Sequence, residues 1–213
     1  AYKGEIEAAL RTKGMSGISL LGIQDFCGQG TALVGMVNAL GETKPYDFAD
    51  PKEFSSFFSP VTVLFESQKF TYTNNETLTG NLLLSNYAQD DLRGAVAYKL
   101  TDSSGKVVFE GTTDAMDFKQ GKLTNAGKIS IPLNTVKKAT QLTLEVSCLQ
   151  AKNKYNIWVY PDEGEVSSDE VYVTDYLDDK AEQILAEGGK VFISPRVVKT
   201  AFPDSREGRF STA

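Results

Sequence analysis

The residues with the clearest chemical potential follow an apolar run near the start of the chain. The run Ile18–Ile23 is followed by Gln24, Asp25 and Phe26, and then by a glycine-bracketed turn. An almost wholly apolar run is typical of a strand buried on both faces of a parallel sheet. A carboxylate at the carboxyl end of such a strand lies where α/β sheets and barrels place their ligands. Asp25 is therefore a candidate substrate-binding residue, with Gln24 to bond and Phe26 to stack on a polar ligand. The alternative for Asp25 is a turn or helix-capping role.

The glycine turn does not match the sequence patterns that bind phosphate groups. In the dinucleotide pattern G-x-G-x-x-G, Gly28 and Gly30 fit but Leu33 takes the third position. A P-loop also fails, because Met36 follows Gly35 where lysine is required. The glycines are interpreted as a tight corner of the chain.

Trp158 and Tyr160 form a second candidate pair, near the end of a predicted strand. The pair is predicted either to stack on a sugar or to pack at a junction between domains.

Several classes of chemistry are excluded by composition. The chain has no histidine, which removes Ser-His-Asp and Cys-His catalysis and histidine zinc sites. Its two cysteines, Cys27 and Cys148, are too few for a disulfide framework and are predicted to be free. The acidic stretch 162–179 lacks the pattern of a calcium loop. We expect no catalytic residue, no metal and no cofactor.

Charge and hydropathy limit the partners. The net charge of −6 argues against nucleic acid, because no basic face is evident to neutralise phosphates. No apolar run approaches the roughly 20 residues of a membrane span. With 41% hydrophobic residues, the chain has enough apolar side chains for a packed core.

Residues 1–60 have the pattern of an α/β segment. A short amphipathic helix is predicted over Glu5–Arg11, and Gly14 ends it. A second helix is predicted after Asp50, which is suited to cap it. One side of that second helix is predicted to be an apolar interface, formed by Phe54, Phe57 and Phe58.

Residues 61–161 instead show short runs of β-branched and aromatic residues separated by turn signals. About seven such strands in roughly 100 residues predict an antiparallel β-sandwich of immunoglobulin type. The predicted strands are Val61–Glu66, Thr77–Asn86, Ala95–Thr101, Lys106–Glu110, Lys128–Pro132, Gln141–Leu149 and Asn156–Tyr160.

Residues 162–213 open with an acidic linker and then show a strand, a helix and a strand. This βαβ unit is predicted from Val171–Val173, Asp179–Glu187 and Lys190–Ile193. One such unit cannot bury its own faces, so we expect it to be the start of a further α/β domain.

The first part of the chain resembles a known enzyme family. Gly4–Leu10, a short spacer and then Gly17–Phe26 resemble the last helix and strand of the (β/α)₈ barrel in family-2 glycoside hydrolases, the relatives of β-galactosidase, β-glucuronidase and β-mannosidase. The continuation through Gly28–Gly35 and Ser59–Val61 resembles bacterial members in which an immunoglobulin-like module follows the barrel. One departure is Leu21, which stands where β-glucuronidase-like relatives commonly carry a tryptophan that walls the sugar site.

The resemblance implies a mainly β chain of three parts. These are the end of a TIM-type barrel in 1–60, an immunoglobulin-like β-sandwich in 61–161, and a linker with a truncated βαβ unit in 162–213. Retaining glycosidases need two carboxyl groups about 5 Å apart. In this family they come from the fourth and seventh barrel strands, which would lie before Ala1, so the chain is expected to be inactive. The chain does not begin with Met, which also leads us to expect a piece of a longer protein.

The expected function is that of a non-catalytic structural part of a bacterial glycoside hydrolase. Its expected partners are the remaining domains of that enzyme and the carbohydrate that the enzyme cleaves. The surface between domains is also expected to be able to pair with another copy. The parent enzyme is expected to be exported to the periplasm or the cell surface. The alternative is a carbohydrate-binding or adhesion module of β-sandwich type.

Overall fold

The computed structural model describes residues 2–26, 28, 34–162 and 170–194, and in these residues the chain is mainly β. The chain divides into two compact units, Ala1–Asp162 and Glu163–Ala213. Within the described ranges, the first unit holds ten strands and two α-helices, and the second holds a βαβ unit.

Eight of the strands in the first unit form two sheets. One sheet has the order β1-β3-β8, and the other has the order β2-β10-β9-β5-β6. Two further strands, β4 and β7, form a separate antiparallel ribbon. The strands are β1 (Val61–Glu66), β2 (Thr71–Thr73), β3 (Thr77–Asn86), β4 (Leu92–Gly94), β5 (Ala97–Thr101), β6 (Val107–Thr112), β7 (Met116–Phe118), β8 (Lys122–Pro132), β9 (Thr140–Cys148) and β10 (Ala151–Tyr160).

Each of the seven predicted strands overlaps an observed one, and β1 and β3 match residue for residue. The pattern missed β2, β4 and β7. Each of these has three residues, which is too short to show an alternating pattern.

The two sheets share one apolar core. Along β10, the buried residues Tyr155, Ile157 and Val159 alternate with exposed neighbours, so one face of the sheet points inward. Their core neighbours include Phe65 of β1 and Leu82 of β3, which belong to the other sheet. Cys148 also lies in this core as a free thiol, and Cys27 lies outside the described residues.

Two helices lie against the three-stranded sheet. Helix α1 (Tyr2–Arg11) contacts β3, and helix α2 (Pro51–Phe57) contacts β1 and β10. Asp50 caps α2, as predicted, because its carboxylate accepts hydrogen bonds from the next two free N–H groups, at 2.8 and 3.1 Å. Leu64 and Leu83 are buried although they lie outside the shared core, so both faces of this sheet are covered.

The aromatic side of α2, predicted to be an apolar interface, is part of this packing. Phe57 is 3% exposed. The ring of Phe54 contacts the rings of Phe57, Phe58 and Tyr2 at centroid distances of 5.1, 5.7 and 6.3 Å. These rings therefore join α2 to α1, and Phe58, at 37% exposure, is the most accessible of the α2 rings.

The predicted buried strand at Ile18–Ile23 is wrong. No strand forms there, and Leu21 is 95% exposed. Between residues 12 and 46 the described chain makes only isolated bridges, which join Val37 to Gln24 and to Thr43. An apolar run becomes a buried strand only when neighbouring strands satisfy its backbone groups. No barrel sheet is present among the described residues.

The second unit confirms the predicted βαβ pattern. Strands β11 (Val171–Thr174) and β12 (Lys190–Ile193) pair in parallel, with helix α3 (Asp179–Ala186) between them in sequence. Asp178 caps α3 by accepting from the N–H of Ala181 at 2.7 Å. Val173 and Phe192 stand opposite each other in the register and are 54% and 58% exposed.

Candidate functional site

Asp25 is held in a structural role by its neighbours. Its carboxylate accepts from the ammonium of Lys44 and from the N–H of Gly35, both at 2.8 Å, and its side chain is 6% exposed. The hydrogen bond from Lys44 lowers the pKa of the Asp25 carboxyl below its usual range, and the Gly35 bond acts in the same direction. Asp25 thus joins the chain near residue 25 to the segments near residues 35 and 44.

Gln24 and Phe26 have contacts that differ from those of Asp25. The amide of Gln24 donates to the carbonyl of Ala39 at 2.9 Å. Phe26 is 61% exposed, and its ring lies so close to Gly28 that a Cβ there would be 2.6 Å from Cε1 of the ring. A Cβ at Gly35 would lie 2.6 Å from the Asp25 nitrogen. These close approaches agree with the prediction that the glycines form a tight corner.

Trp158 and Tyr160 lie on the outer face of the five-stranded sheet. They are 38% and 48% exposed and alternate with buried residues of β10. The structure therefore brings these two together, and it places them on a different part of the first unit from the Asp25 corner.

A buried polar network that the sequence pattern did not predict joins α1 to the sheets. Lys3, Glu7 and Arg11 follow one another at four-residue spacing on α1, so they share one side of the helix. Glu7 is 4% exposed, which is rare for a glutamate unless it is paired. We call Lys3, Glu7, Arg11, Asn153 and Tyr155 the helix-docking network.

Glu7 is the centre of the helix-docking network. One of its carboxylate oxygens accepts from the Asn153 amide at 2.8 Å and from the Tyr155 hydroxyl at 3.0 Å. The other oxygen is 3.4 Å from the Arg11 guanidinium. Lys3 donates to the Asn153 carbonyl oxygen at 2.7 Å and stands over the Tyr155 ring at 4.4 Å. Every charged group in the network therefore has a partner.

The same side chains hold the backbone of β1. The Asn153 amide donates to the carbonyl of Val63 at 3.0 Å, and the N–H of Phe65 donates to the Tyr155 hydroxyl at 3.0 Å. The network thus connects α1, β1 and β10, and so links both sheets to the helix.

Burial sets the ionisation of the network. It raises the pKa of the Tyr155 phenol far above its ordinary value, and the Glu7 charge adds to this rise. Burial also lowers the pKa of the Lys3 ammonium, while the charges of Glu7 and Glu53 act against that decrease. Tyr155 is thus kept as a neutral donor to the Glu7 carboxylate.

A cavity of about 280 Å³ lies beside the network and is lined by Glu7, Glu66, Arg11 and Phe70, among others. Perturbed pKa values beside a cavity are a general sign of a functional site. Here the carboxylates are engaged, because Glu7 is bound as described and Glu66 accepts from the Asn81 amide at 2.8 Å. The arrangement is suited to fix the helix rather than to transfer a proton.

Part of the helix-docking network can be recognised in the sequence of β10. Asn153 and Tyr155 occupy inward positions of β10, next to the inward apolar residues Ile157 and Val159. A polar residue on the core face of a strand requires a hydrogen-bond partner from elsewhere. The spacing of Lys3, Glu7 and Arg11 provides charges, but only the fold shows that they meet β10.

Residues 76–161 match one family model. Its description is a domain of unknown function, DUF8488. The match covers most of the sheet-forming region and less than half of the chain. No curated protein sequence matches the chain.

Solved structures with a similar arrangement of elements are distant. They include the alkylpurine DNA glycosylase AlkC of Pseudomonas fluorescens bound to DNA with an abasic site analog, at 10% identity and a TM-score of 0.39, covering 48% of this chain and 31% of that chain. A β-glucosidase from Listeria innocua in complex with glucose has 11% identity and a TM-score of 0.37, with coverages of 52% and 17%. The sporulation control protein Spo0M of Bacillus subtilis has 10% identity and a TM-score of 0.35, with coverages of 48% and 50%. The chain therefore spans half or less of the length of each of these proteins.

None of the helices in the described residues is long and apolar enough to cross a membrane. In the same residues, no group of three or more Cys, Asp or Glu side chains is arranged to hold a metal ion.

Proposed function

We propose that this chain is a non-catalytic structural part of a glycoside hydrolase, in which a β-sheet unit holds the helical segment before it in a fixed position. The observation that carries the proposal is the helix-docking network. A carboxylate on α1 is buried against β10, and its partners also bind the backbone of β1. An attachment of this kind transmits a fixed orientation between segments that are distant in sequence.

The strand order supports an immunoglobulin-type sandwich for the sheet unit. In that fold, one sheet contains strands A, B and E, and the other contains G, F, C and C′. The order β1-β3-β8 corresponds to A-B-E, and β10-β9-β5-β6 corresponds to G-F-C-C′.

The engagement of the buried carboxylates supports a non-catalytic role. Glycoside hydrolysis requires one carboxyl group that donates a proton and another that attacks or activates water. The side chains of Glu7 and Asp25 are enclosed, at 5% and 6% exposure, and both are bound to cations and to N–H or O–H donors. A carboxylate bound in this way is a poor nucleophile and a poor general base.

The carbohydrate assignment rests on the resemblance of residues 4–35 and 59–61 to the end of a family-2 barrel and its following module. In the proposed enzyme, residues 2–60 would lie against the barrel, and the sheet unit would hold them there. The exposed apolar side chains of this segment, such as Leu21 and Leu40, at 95% and 85% exposure, would then be covered by the rest of the enzyme. The βαβ unit would begin the next domain of the same enzyme.

Two measurements on the 213-residue protein test the proposal. First, it should release no product from a panel of nitrophenyl α- and β-glycosides, and turnover by the purified chain would contradict the non-catalytic role. Second, amide hydrogens in the last turns of α1 should exchange as slowly as those of β1. Exchange of the α1 amides at the rate of an unfolded chain would show that the helix is not held by the sheets.

A further inference from the structure

The outer face of the five-stranded sheet presents two aromatic rings side by side. Trp158 and Tyr160 alternate along β10 with Ile157 and Val159, which are fully buried. Both rings therefore point away from the core, and they lie two residues apart, which is about 7 Å along a strand. This pair is independent of the helix-docking network, whose side chains point into the core from the other face of β10.

The residues directly opposite the two rings on the neighbouring strands are neutral. Trp158 stands opposite Thr71 of β2 on one side and Gln141 of β9 on the other. Tyr160 stands opposite Thr73. Within the part of the chain that the structure describes, neither the indole N–H of Trp158 nor the hydroxyl of Tyr160 has a protein partner, so both remain available as donors.

The rest of this face carries formal charges in an ordered row. Lys154, Glu145, Lys99 and Glu110 occupy directly opposed positions on β10, β9, β5 and β6. Opposite charges at such positions attract one another across the strands. Lys154 forms its ion pair with Glu53 of α2, at 2.6 Å. The cross-strand neighbours of the aromatic pair are thus neutral and the charges along the rest of this face alternate in sign, which matches a ligand without formal charge.

The backbone around the pair is fixed on both sides. The N–H of Trp158 donates to the carbonyl of Phe70 at 2.8 Å, and the carbonyl of Tyr160 accepts from the N–H of Asn74 at 2.8 Å. The side chain of Asn74 in turn accepts from the N–H of Asp162 at 2.9 Å. Because the backbone that carries the two rings is ordered before binding, the backbone loses little conformational entropy when a ligand binds.

We infer that Trp158 and Tyr160 form a binding site for a neutral saccharide. A sugar ring presents C–H groups on its faces, which pack on an aromatic ring, and hydroxyl groups on its rim. Those hydroxyls can exchange hydrogen bonds with the indole N–H, the phenol, Gln141 and Thr71. An exposed pair on a flat face fits an extended polysaccharide better than a small ligand, since small ligands are bound in concave pockets.

Trp158 makes the test direct, because it is the only tryptophan in the chain. Its fluorescence should change as soluble neutral polysaccharides are added, for which we would use mixed-linkage β-glucan, xyloglucan, galactomannan and arabinogalactan. At least one of these should also retard the protein in a native gel that contains it. Polygalacturonate serves as the charged comparison and should give neither effect at moderate salt.

Variants separate this site from the rest of the surface. Trp158→Ala and Tyr160→Ala should each weaken retardation by about tenfold. The matched control is Tyr176→Ala, because Tyr176 is 47% exposed but lies in the second unit, and this variant should bind like the wild type.

Three outcomes would overturn the inference: no response to any of the neutral polysaccharides, binding that persists in both β10 variants, or binding of polygalacturonate alone. If no polysaccharide binds and the wild type self-associates through a Trp158-dependent contact, the patch is a protein interface. None of these outcomes depends on whether the chain hydrolyses glycosides or whether α1 is held by the sheets, so this test is separate from those of the proposed function.

Discussion

The carboxylate of Glu7 in α1 lies 2.8 Å from the side-chain amide of Asn153 in β10, although 146 residues separate them in sequence. Both side chains are almost completely buried, at 4% and 2% exposure. A buried charge is tolerated when its hydrogen bonds are complete, and Tyr155 and Arg11 complete those of Glu7. The relationship makes the helix a part of the sheet unit and not an attached tail.

Glu7→Ala should lower the free energy of unfolding of the first unit by about 1–3 kcal/mol, because Asn153 and Tyr155 lose their shared acceptor inside the protein. Glu7→Gln should lower the free energy of unfolding less, since its amide oxygen can still accept these hydrogen bonds. Urea denaturation followed by the fluorescence of Trp158 reports this unit alone. The control is Glu5→Ala on the exposed side of α1, which should stay within about 0.5 kcal/mol of wild type. Equal effects at positions 5 and 7 would show that the network contributes no stability.

Tyr155→Phe should destabilise the protein most at neutral pH. The Tyr155 hydroxyl accepts from the N–H of Phe65 and donates to Glu7. Its loss leaves the buried Phe65 N–H without this acceptor and removes one donor from Glu7, which should lower the free energy of unfolding by about 1–3 kcal/mol.

The same variant should also change the alkaline stability. Burial raises the pKa of Tyr155 above its ordinary value of 10.0, so above pH 10 the folded protein keeps a proton that the unfolded chain releases. The stabilisation is complete below pH 10 and decreases as the pH rises above it. The difference in unfolding free energy between wild type and Tyr155→Phe should therefore shrink from about pH 9 to about pH 11. Tyr176→Phe, at an exposed position, is the control, and a pH-independent difference for Tyr155 would contradict the prediction.

Asp25→Asn should loosen the corner around residues 22–44 without unfolding the sheets. The bond from Lys44 keeps the pKa of Asp25 below its ordinary value of 3.8, so the ion pair stabilises the folded corner above that pH. This contribution is lost as the pH falls below 3.8 through the folded-state pKa. Exchange of the Met36 amide, which donates to the Ile23 carbonyl, should be about tenfold faster in the variant at neutral pH.

A suitable control for the corner is Asp47→Asn, since Asp47 is exposed. In wild-type protein, the Met36 amide should lose protection on acidification below pH 3.8, and the Asp25 variant should lack this dependence. Unchanged exchange in Asp25→Asn would remove Asp25 from its structural role and restore it as a candidate ligand-binding residue.

Two glycine substitutions should change the stability of the protein in opposite directions. A Cβ at Gly80 in β3 would overlap the ring of Phe65 and lie 2.6 Å from the carbonyl oxygen of Glu66, so Gly80→Ala should destabilise the protein by about 1–3 kcal/mol. Gly4 in α1 has no atom within 4 Å of its would-be Cβ, and Gly4→Ala should stabilise the helix by about 0.5–1 kcal/mol. Thermal unfolding of the two variants measures both. A loss of stability in Gly4→Ala would mean that α1 packs more tightly than the structure shows.

The strands of the first unit were predictable because each carries its own pattern. β9 alternates buried Leu142, Leu144 and Val146 with more exposed neighbours, and a period of two needs no knowledge of the partner strand. The run Ile18–Ile23 shows the opposite case. Its apolar character is that of a buried strand, but strand formation depends on hydrogen bonds from neighbours that the described chain does not provide there.

Some of the candidate sites could likewise be predicted from a local pattern, and others could not. The outward direction of Trp158 and Tyr160 follows from alternation within β10, so their common face could be predicted. The role of Asp25 could not, because it depends on Lys44, 19 residues further along the chain. The helix-docking network was missed for the same reason, since Glu7 and Asn153 meet only after both sheets have formed.

The seven longer strands of residues 61–161, the capped helices and the βαβ unit near the end of the described chain follow from the amino-acid sequence alone. Periodicity and capping act over a few residues, so they can be read without the fold. The tertiary fold sets which charges are buried together and which apolar side chains face solvent. Those outcomes depend on contacts between residues far apart in the chain, where the cost of burying Glu7 is offset by donors that no local pattern reveals.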